Sequence, residues 1–271
     1  MLKQYEVQHY QNNGYVVPGA FRLTSKETDA LRADLEDVLR LNREIPTDRL
    51  INIHVDGKAP YGAIGAAGFQ RLANDPRILD MVEQVIGGDL ILWLTHLFCK
   101  PATTGREVPW HQDGEYWPIE PAATCTVWVA LDTVDKENGA MRVIPGSHKD
   151  GSYPHAIDLS PNLTLNQVAD RAAFDEESAR YIELAPGQVS LHDVGILHGS
   201  APNRSNRRRA GLALRYMPAT AYFRRDRAIQ NSKLDWATLP LQLVRGVNRN
   251  KANDLTVGHA DFDPSNTSAK F

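Results

Sequence analysis

Apolar residues recur at helical spacing in a segment that begins near residue 24 of the chain. Leu31, Leu35 and Val38 fall on one face of a helix, because they are separated by about one turn. Thr24 and Glu27 precede them in the pattern of a capping box, which satisfies free N–H groups of the first turn. The pattern therefore predicts an amphipathic helix that starts after Thr24.

A second helix is predicted further along the chain. Asp75 and Pro76 supply an N-cap and a first-turn proline, and Gly87 supplies a stop signal. The apolar residues between these signals have helical spacing: Ile78, Met81, Val82, Val85 and Ile86. The glycine-rich stretch 62–68, which follows Tyr61, suits a mobile lid and a plain surface loop equally well.

The hydrophobic pattern changes from helical to strand-like after residue 88. Short apolar segments rich in β-branched and aromatic residues follow, separated by Pro, Gly, Asn or Asp. They cover residues 90–100, 123–132, 141–144, 181–184, 188–191 and 210–217. Such a series predicts a mainly β protein built as a sandwich or a double-sheet barrel.

No repeat, low-complexity tract or linker divides the chain. We therefore interpret it as a single domain with a helical layer over about residues 1–88, a barrel over about 89–217 and a C-terminal extension over about 218–271.

Composition narrows the classes of function. The 271 residues are 42% hydrophobic and 23% charged, as in ordinary globular proteins, and the net charge of −3 offers no basic field for nucleic acid. No apolar run is long enough to span a membrane, and no signal peptide is recognisable, so we expect a cytoplasmic protein without a membrane partner. Cys99 and Cys125 lie on apolar segments, which favours buried thiols over a disulfide.

Two histidines and one aspartate form the pattern that carries chemistry. In an extended chain, His111 and Asp113 point to the same side, because side chains alternate with a period of two. His198 can supply a third ligand from a distant strand. Two imidazoles and a carboxylate are the facial triad that leaves open positions on iron(II). A His-x-Asp pair alone is common by chance, and most histidines have no metal role.

Arg209 follows His198 by eleven residues and lies in a strand-like segment. Alternation puts Arg209, Gly211, Ala213 and Arg215 on one face of that strand. The opposite face is apolar and carries Leu212, Leu214 and Tyr216. The small residues beside Arg209 leave room around its guanidinium. Arg207 and Arg208 are typical of a solvated basic loop.

These motifs occur in a characteristic order along the chain. The segments are Asn138-Gly139-Ala140, Pro145-Gly146-Ser147-His148, Pro186-Gly187, His198-Gly199-Ser200, Asn203 and Arg209. Together with the His-x-Asp pair, this string resembles the phytanoyl-CoA dioxygenase family of iron(II) and 2-oxoglutarate oxygenases from about Tyr10 to about Met217. The resemblance implies a double-stranded β-helix, a cupin-like jelly-roll barrel with N-terminal helices packed on one sheet.

The resemblance also implies the roles of individual residues. His111, Asp113 and His198 match the family's metal ligands, and Arg209 matches the arginine that binds the 5-carboxylate of 2-oxoglutarate. Ser200 and Trp128 fall where relatives line the co-substrate pocket. The implied cofactors are iron(II), 2-oxoglutarate and O2.

The implied reaction is hydroxylation of an unactivated C–H bond, with succinate and CO2 as co-products, although desaturation is also open. Two alternatives remain: a sensor that binds metal and 2-oxoglutarate without turnover, and a cupin-like isomerase. A halogenase is disfavoured because Asp113 is present. His192 shares the strand parity of His198, but a structural role is favoured for it. His148 and His155 follow a turn and are expected at the surface.

The sequence indicates less about the substrate than about the metal site. We expect a small polar or anionic metabolite, because no basic nucleotide-binding patch or long apolar groove is recognisable. Arg215 shares the face of Arg209, and further arginines crowd the tail that could close over the mouth of the site: Arg224, Arg225, Arg227, Arg245 and Arg249. Guanidinium groups suit carboxylate, phosphate or phosphonate. The tail arginines could equally be exposed or paired with acidic neighbours.

Overall fold

The computed structural model describes residues 1–55, 63–227 and 236–259, and the protein is mainly β. Its α-helices within these ranges are α1 Gln4–Asn13, α2 Ser25–Leu41, α3 Ala67–Ala73 and α4 Pro76–Ile86. The strands are β1 Tyr15–Val16, β2 Leu50–Ile51, β3 Leu90–Lys100, β4 Val108–His111, β5 Ile119–Glu120, β6 Cys125–Ala130, β7 Met141–Val143, β8 His155–Ile157, β9 Gln167–Ala169, β10 Arg180–Ile182, β11 Val189–Asp193, β12 His198–Ser200, β13 Arg209–Pro218, β14 Tyr222–Phe223 and β15 Gln242–Arg245.

Both predicted helices are confirmed, with their caps. In α2, Thr24 Oγ1 accepts from the Glu27 N–H at 3.2 Å, and the Glu27 carboxylate accepts from the Thr24 N–H at 2.7 Å. In α4, the Asp75 carboxylate accepts from the Arg77 N–H, and the helix ends at Gly87. The sequence did not predict α1 or α3. Tyr61 and the first glycine of the suggested lid lie outside the described residues, whereas Gly68 lies in α3.

Two sheets organise the described part of the chain. A seven-stranded sheet has the order β1-β11-β6-β13-β3-β15, with β2 also paired to β3. A four-stranded sheet has the order β10-β7-β12-β4. Each strand segment predicted from the sequence overlaps an observed strand. The N-terminal region is not purely helical, because β1 and β2 join the large sheet, and the C-terminal β15 pairs with β3.

The two faces of the large sheet are covered differently. Leu212 and Leu214 of β13 share one core cluster with Leu35 of α2 and Met81 of α4, so the helices pack on this face, as expected. Ala213 belongs instead to a cluster with residues of β7 and β10 in the small sheet. Alternation along β13 thus separates a helix-facing side from a side that faces the second sheet.

The two cysteines, Cys99 and Cys125, are buried free thiols, which confirms the sequence interpretation. Within the described ranges, no helix is long and apolar enough to cross a membrane.

Candidate metal centre

A cavity lies on the inner face of the large sheet, next to the small sheet. It is lined by Phe98, Val108, His111, Asp113, Thr126, Trp128, Met141, His192, His198, Gly199, Ser200, Arg209, Ala213 and Arg215. All six residues named from the sequence as site residues are in this set. The structure therefore brings the predicted ligands and pocket residues to one place.

Pairing between β4 and β12 brings the two distant histidines together, since His198 lies opposite His111 in the register. Gln112 continues the extended chain beyond His111, with φ −111° and ψ 132°. Its side chain points the other way and donates to the carbonyls of Gly151 and Gly195 at 2.8 and 2.7 Å. Asp113 therefore returns to the side of His111, as period-two alternation predicts.

The three side chains form a compact donor set. Asp113 Oδ1 lies 3.4 Å from His111 Nε2, and Asp113 Oδ2 lies 3.9 Å from His198 Nε2. One ligand atom from each residue falls within 4.8 Å of the others, and all three residues are buried. Separations of this size suit groups that coordinate one ion at about 2 Å each.

Backbone hydrogen bonds fix both imidazoles. Nδ1 of His111 bonds to the Pro109 carbonyl at 2.8 Å, and Nδ1 of His198 bonds to the Ile196 carbonyl at 3.0 Å. A carbonyl only accepts, so each Nδ1 carries the proton and each Nε2 keeps its lone pair towards Asp113. Burial is the main cause that holds the pKa of His198 well below its usual range, and the neighbouring His111 adds to this effect. His198 is thus neutral, as a metal ligand must be.

Asp113 is buried as a charged group. Burial acts to raise its pKa, but Arg215 and then the surrounding histidines hold the pKa well below the usual range of a carboxyl group. Its Oδ2 atom has no hydrogen-bond partner among the described residues. A buried carboxylate oxygen with no donor is costly unless something else satisfies it. A divalent cation held by His111, Asp113 and His198 would satisfy this atom, so the residues fit the metal of a facial triad.

His192 is a near neighbour of this set. Its Nε2 lies 3.8 Å from Asp113 Oδ2, and its ring centroid is 5.0 Å from that of His198. His155 is half-buried rather than at the surface. Its Nε2 accepts at 3.2 Å from the N–H of Gln112, the residue between His111 and Asp113 in the sequence. His148 packs instead under Gly14 and bonds to the Gln11 carbonyl, away from the cavity.

Arg209 occupies the other end of the cavity and is buried. Its Nη2 donates to the Gly139 carbonyl at 2.9 Å and to Ser200 Oγ at 3.3 Å, whereas its Nε has no partner in the described structure. The guanidinium lies over the Trp128 ring at 5.4 Å. The space beside Arg209 is thus filled by this indole, because a Cβ on Gly211 would overlap the ring. Burial lowers the pKa of Arg209 to about 10.

Lys100 is a site-related residue that the sequence analysis missed. It pairs with Arg209 across β3 and β13, and it is only 1% exposed. Its Nζ donates to Ser200 Oγ at 2.7 Å and to the Ala201 carbonyl at 2.6 Å. Burial, and then the charge of Arg209, lower its pKa well below the usual value. The sequence signal that could have identified it is a lysine at the end of a mostly apolar strand.

The remaining arginines have other partners. Arg207 is exposed and pairs with Asp135, as expected of a solvated loop, whereas Arg208 is half-buried and pairs with Asp132. Two possibilities were left open for the five tail arginines, closure over the mouth of the site and pairing elsewhere, and the structure contradicts the first. They bond as follows: Arg224 to Glu120 and Asp226, Arg225 to the Leu239 and Asp254 carbonyls, Arg227 to the Trp117 carbonyl, Arg245 to Asp80 and Glu83, and Arg249 to Asp89. None of them lines the cavity in the described structure.

The chain resembles known proteins over most of its length. Residues 10–211 match the family model described as phytanoyl-CoA dioxygenase, and this range includes all six residues named above. A probable alpha-ketoglutarate-dependent hypophosphite dioxygenase of Stutzerimonas stutzeri is 31% identical over 153 residues, which are 56% of this chain and 53% of that protein. The chain thus matches about half the length of this relative.

Two further proteins extend the comparison. An ectoine dioxygenase of Stutzerimonas stutzeri (strain A1501) is 26% identical over 235 residues, which cover 76% of this chain and 74% of that protein. The solved structure of ThoJ, a non-heme monooxygenase in its apo form, is 27% identical with a TM-score of 0.71. That match covers 96% of this chain and 90% of ThoJ.

Proposed function

Because this chain belongs to the phytanoyl-CoA dioxygenase family, we propose that it is an iron(II)- and 2-oxoglutarate-dependent dioxygenase that hydroxylates a C–H bond of a small polar or anionic metabolite. Succinate and CO2 are the co-products. The proposal includes a jelly-roll arrangement of the two large sheets and a single catalytic domain, both of which the family membership supports.

The observation that carries the proposal is the buried Asp113 carboxylate between two histidines. Its Oδ1 lies 3.4 Å from His111 Nε2, and its Oδ2, which has no hydrogen-bond partner among the described residues, lies 3.9 Å from His198 Nε2. His111, Asp113 and His198 would hold the metal on one face. Iron(II) bound in this way supplies oxidation of a C–H bond by O2, coupled to decarboxylation of 2-oxoglutarate.

The chain's own residues bind and orient the reactants. Arg209 and Ser200 bind the distal carboxylate of 2-oxoglutarate, and Trp128 packs against the guanidinium so that its direction is fixed. Buried side chains around the three ligands exclude water from the reacting atoms. Two buried arginines, Arg209 and Arg215, line the cavity, which suits anionic groups better than a long acyl chain.

The two alternatives differ from this proposal in whether 2-oxoglutarate is bound and whether it is consumed. A cupin-like isomerase does not require 2-oxoglutarate, so it would not explain the buried Arg209. The Arg209 Nε, which has no partner in the described structure, favours an anionic ligand. A sensor would bind 2-oxoglutarate without consuming it.

One assay separates these functions. Purified protein is supplied with iron(II), 2-oxoglutarate and O2, and succinate is measured over a library of small acids, amines and acyl-CoA esters. The proposal expects at least one small polar or anionic compound to stimulate succinate formation and to gain oxygen. A long-chain acyl-CoA as the sole stimulating compound would contradict the proposed substrate class. Binding of 2-oxoglutarate without any succinate would favour the sensor.

A further inference from the structure

Arg215 lies at the opposite end of the cavity from Arg209. Both side chains project from the same face of β13, and their separation of six residues corresponds to roughly 20 Å of strand. Arg215 is only 8% exposed. Within the described residues it makes no hydrogen bond and no ion pair, and its Nε is a buried donor without an acceptor. Such a buried charge is costly unless a ligand pairs with it.

Two tryptophans hold this guanidinium in place. Its central carbon lies 4.7 Å from the Trp117 ring and 5.9 Å from the Trp93 ring. The rings stabilise the cation and restrict its rotamers while leaving its N–H groups unused. An arginine fixed in this way loses little conformational entropy when it binds an anion.

Arg215 belongs to a polar row that crosses three neighbouring strands. Thr126 lies beside it on β6, and His192 lies beside Thr126 on β11. All three residues are buried and line the cavity. Thr126 Oγ1 and His192 Nδ1 also have no hydrogen-bond partner among the described residues. Three adjacent residues that line one cavity thus each carry a polar atom without a partner in the described structure, as expected of a binding site for a polar group.

The charges of the cavity favour an anion at this row. Among the described lining residues, Asp113 is the only carboxylate, and the metal would neutralise it. Arg209 and the adjacent Lys100 are at the far end, where the co-substrate carboxylate is proposed to bind. Once the metal is bound to Asp113, the described lining offers Arg215 no other carboxylate.

We propose that Arg215, assisted by Thr126 and His192, binds an oxyanion of the primary substrate, either a carboxylate or a phosphorus oxyanion. This inference rests on the proposed function, because it assigns the second half of the same cavity. Arg215 lies close enough to Asp113 for its charge to act on that carboxylate. An oxyanion on Arg215 thus holds the adjacent carbon next to the metal ligands.

The test compares compounds that carry an oxyanion with matched compounds that lack it. Protein loaded with iron(II) and 2-oxoglutarate is kept free of oxygen, and binding is measured by isothermal titration calorimetry. The matched pairs are L-proline against L-prolinamide and methylphosphonate against dimethyl methylphosphonate, and hypophosphite is measured alone. We expect at least one oxyanion compound to bind more tightly than its partner without the oxyanion by about tenfold or more, as a charge-assisted pair does.

Variants then locate the site. Arg215→Gln should remove the preference for the anion, Arg215→Lys should restore part of it, and Thr126→Val should weaken anion binding by a smaller factor. Arg245→Gln is the matched control, because Arg245 pairs with Asp80 and Glu83 outside the cavity.

Iron(II) and 2-oxoglutarate affinities, measured in the same variants, separate this inference from the proposed function. No anion preference in the parent protein, or one that survives in Arg215→Gln, would overturn the inference. Loss of iron(II) binding in Arg215→Gln with unchanged anion preference would also overturn it and would make Arg215 a support for Asp113. Failure of the parent protein to bind 2-oxoglutarate would instead contradict the proposed function.

Discussion

Lys100 Nζ donates a hydrogen bond of 2.7 Å to Ser200 Oγ at the buried end of the cavity. Arg209 Nη2 donates to the same oxygen at 3.3 Å. Since Ser200 Oγ accepts from both of these side chains, its own O–H is left to donate, and Ser200 lines the cavity. We therefore expect Lys100 to orient the Ser200 hydroxyl towards the carboxylate of 2-oxoglutarate without contacting that carboxylate.

This relationship predicts a specific effect of Lys100. Lys100→Met should raise the KM for 2-oxoglutarate by about tenfold, because the hydrogen bond that orients the Ser200 hydroxyl is lost, and should leave iron(II) affinity unchanged. Ser200→Ala should raise the same KM in the parent protein but much less in the Lys100→Met background. A double variant whose effects multiply independently would show that Lys100 does not act through Ser200.

Arg209 is predicted to bind the co-substrate directly. Arg209→Ala should raise the 2-oxoglutarate requirement by one to two decades, since a charge-assisted pair contributes about 1.5–3 kcal/mol. Arg207→Ala is the matched control, because Arg207 pairs with Asp135 at the surface. Initial rates against 2-oxoglutarate concentration provide the measurement. An unchanged requirement in Arg209→Ala, with a loss in Arg207→Ala, would reverse the assignment.

Gly211 is predicted to be intolerant of a side chain. A methyl group there would overlap Trp128 and push the indole away from Arg209. Gly211→Ala should lower the free energy of unfolding by about 1–3 kcal/mol and weaken 2-oxoglutarate binding as well. Gly19→Ala, where a Cβ meets only an ordinary contact at 3.6 Å, is the control. Equal stability of the two variants in denaturant titrations would show that the Trp128 contact is not restrictive.

The metal ligands are predicted to be His111, Asp113 and His198, without His192. His198→Ala should abolish iron(II) binding, because its Nε2 faces Asp113 and its Nδ1 is held by the Ile196 carbonyl. His192→Ala should keep the metal, because no backbone carbonyl orients its Nδ1. Metal content after equilibrium dialysis distinguishes the two. Loss of iron from His192→Ala but not from His198→Ala would show that the assignment is wrong.

The local signals of the sequence predict much of the fold. Capping residues and helical spacing locate α2 and α4, and apolar segments locate the long strands β3 and β13. By contrast, α1 and α3 lack such signals: Lys3 and Ala66 precede them, and neither side chain is a typical helix cap. The interleaving of β1, β2 and β15 into the large sheet depends on long-range pairing that periodicity does not encode.

Site residues were predictable from the sequence where they alternate along a single extended segment. Alternation relates His111 to Asp113 and Arg209 to Arg215, and the structure keeps both relations. Lys100 and the row from Arg215 to His192 were not predictable in this way, because cross-strand register brings them together. The partners of Arg245 and Arg249 were not predictable for the same reason, since Glu83 and Asp89 lie far away in the sequence.

The decisive measurement is oxygen-dependent conversion of 2-oxoglutarate to succinate by the purified protein, compared with its Asp113→Ala variant. Succinate formation should require iron(II), should stop when a chelator removes the metal, and should be absent in Asp113→Ala, because the metal then lacks its carboxylate ligand. No iron-dependent succinate from the parent protein, or equal succinate from Asp113→Ala, would contradict the proposed iron(II)- and 2-oxoglutarate-dependent activity.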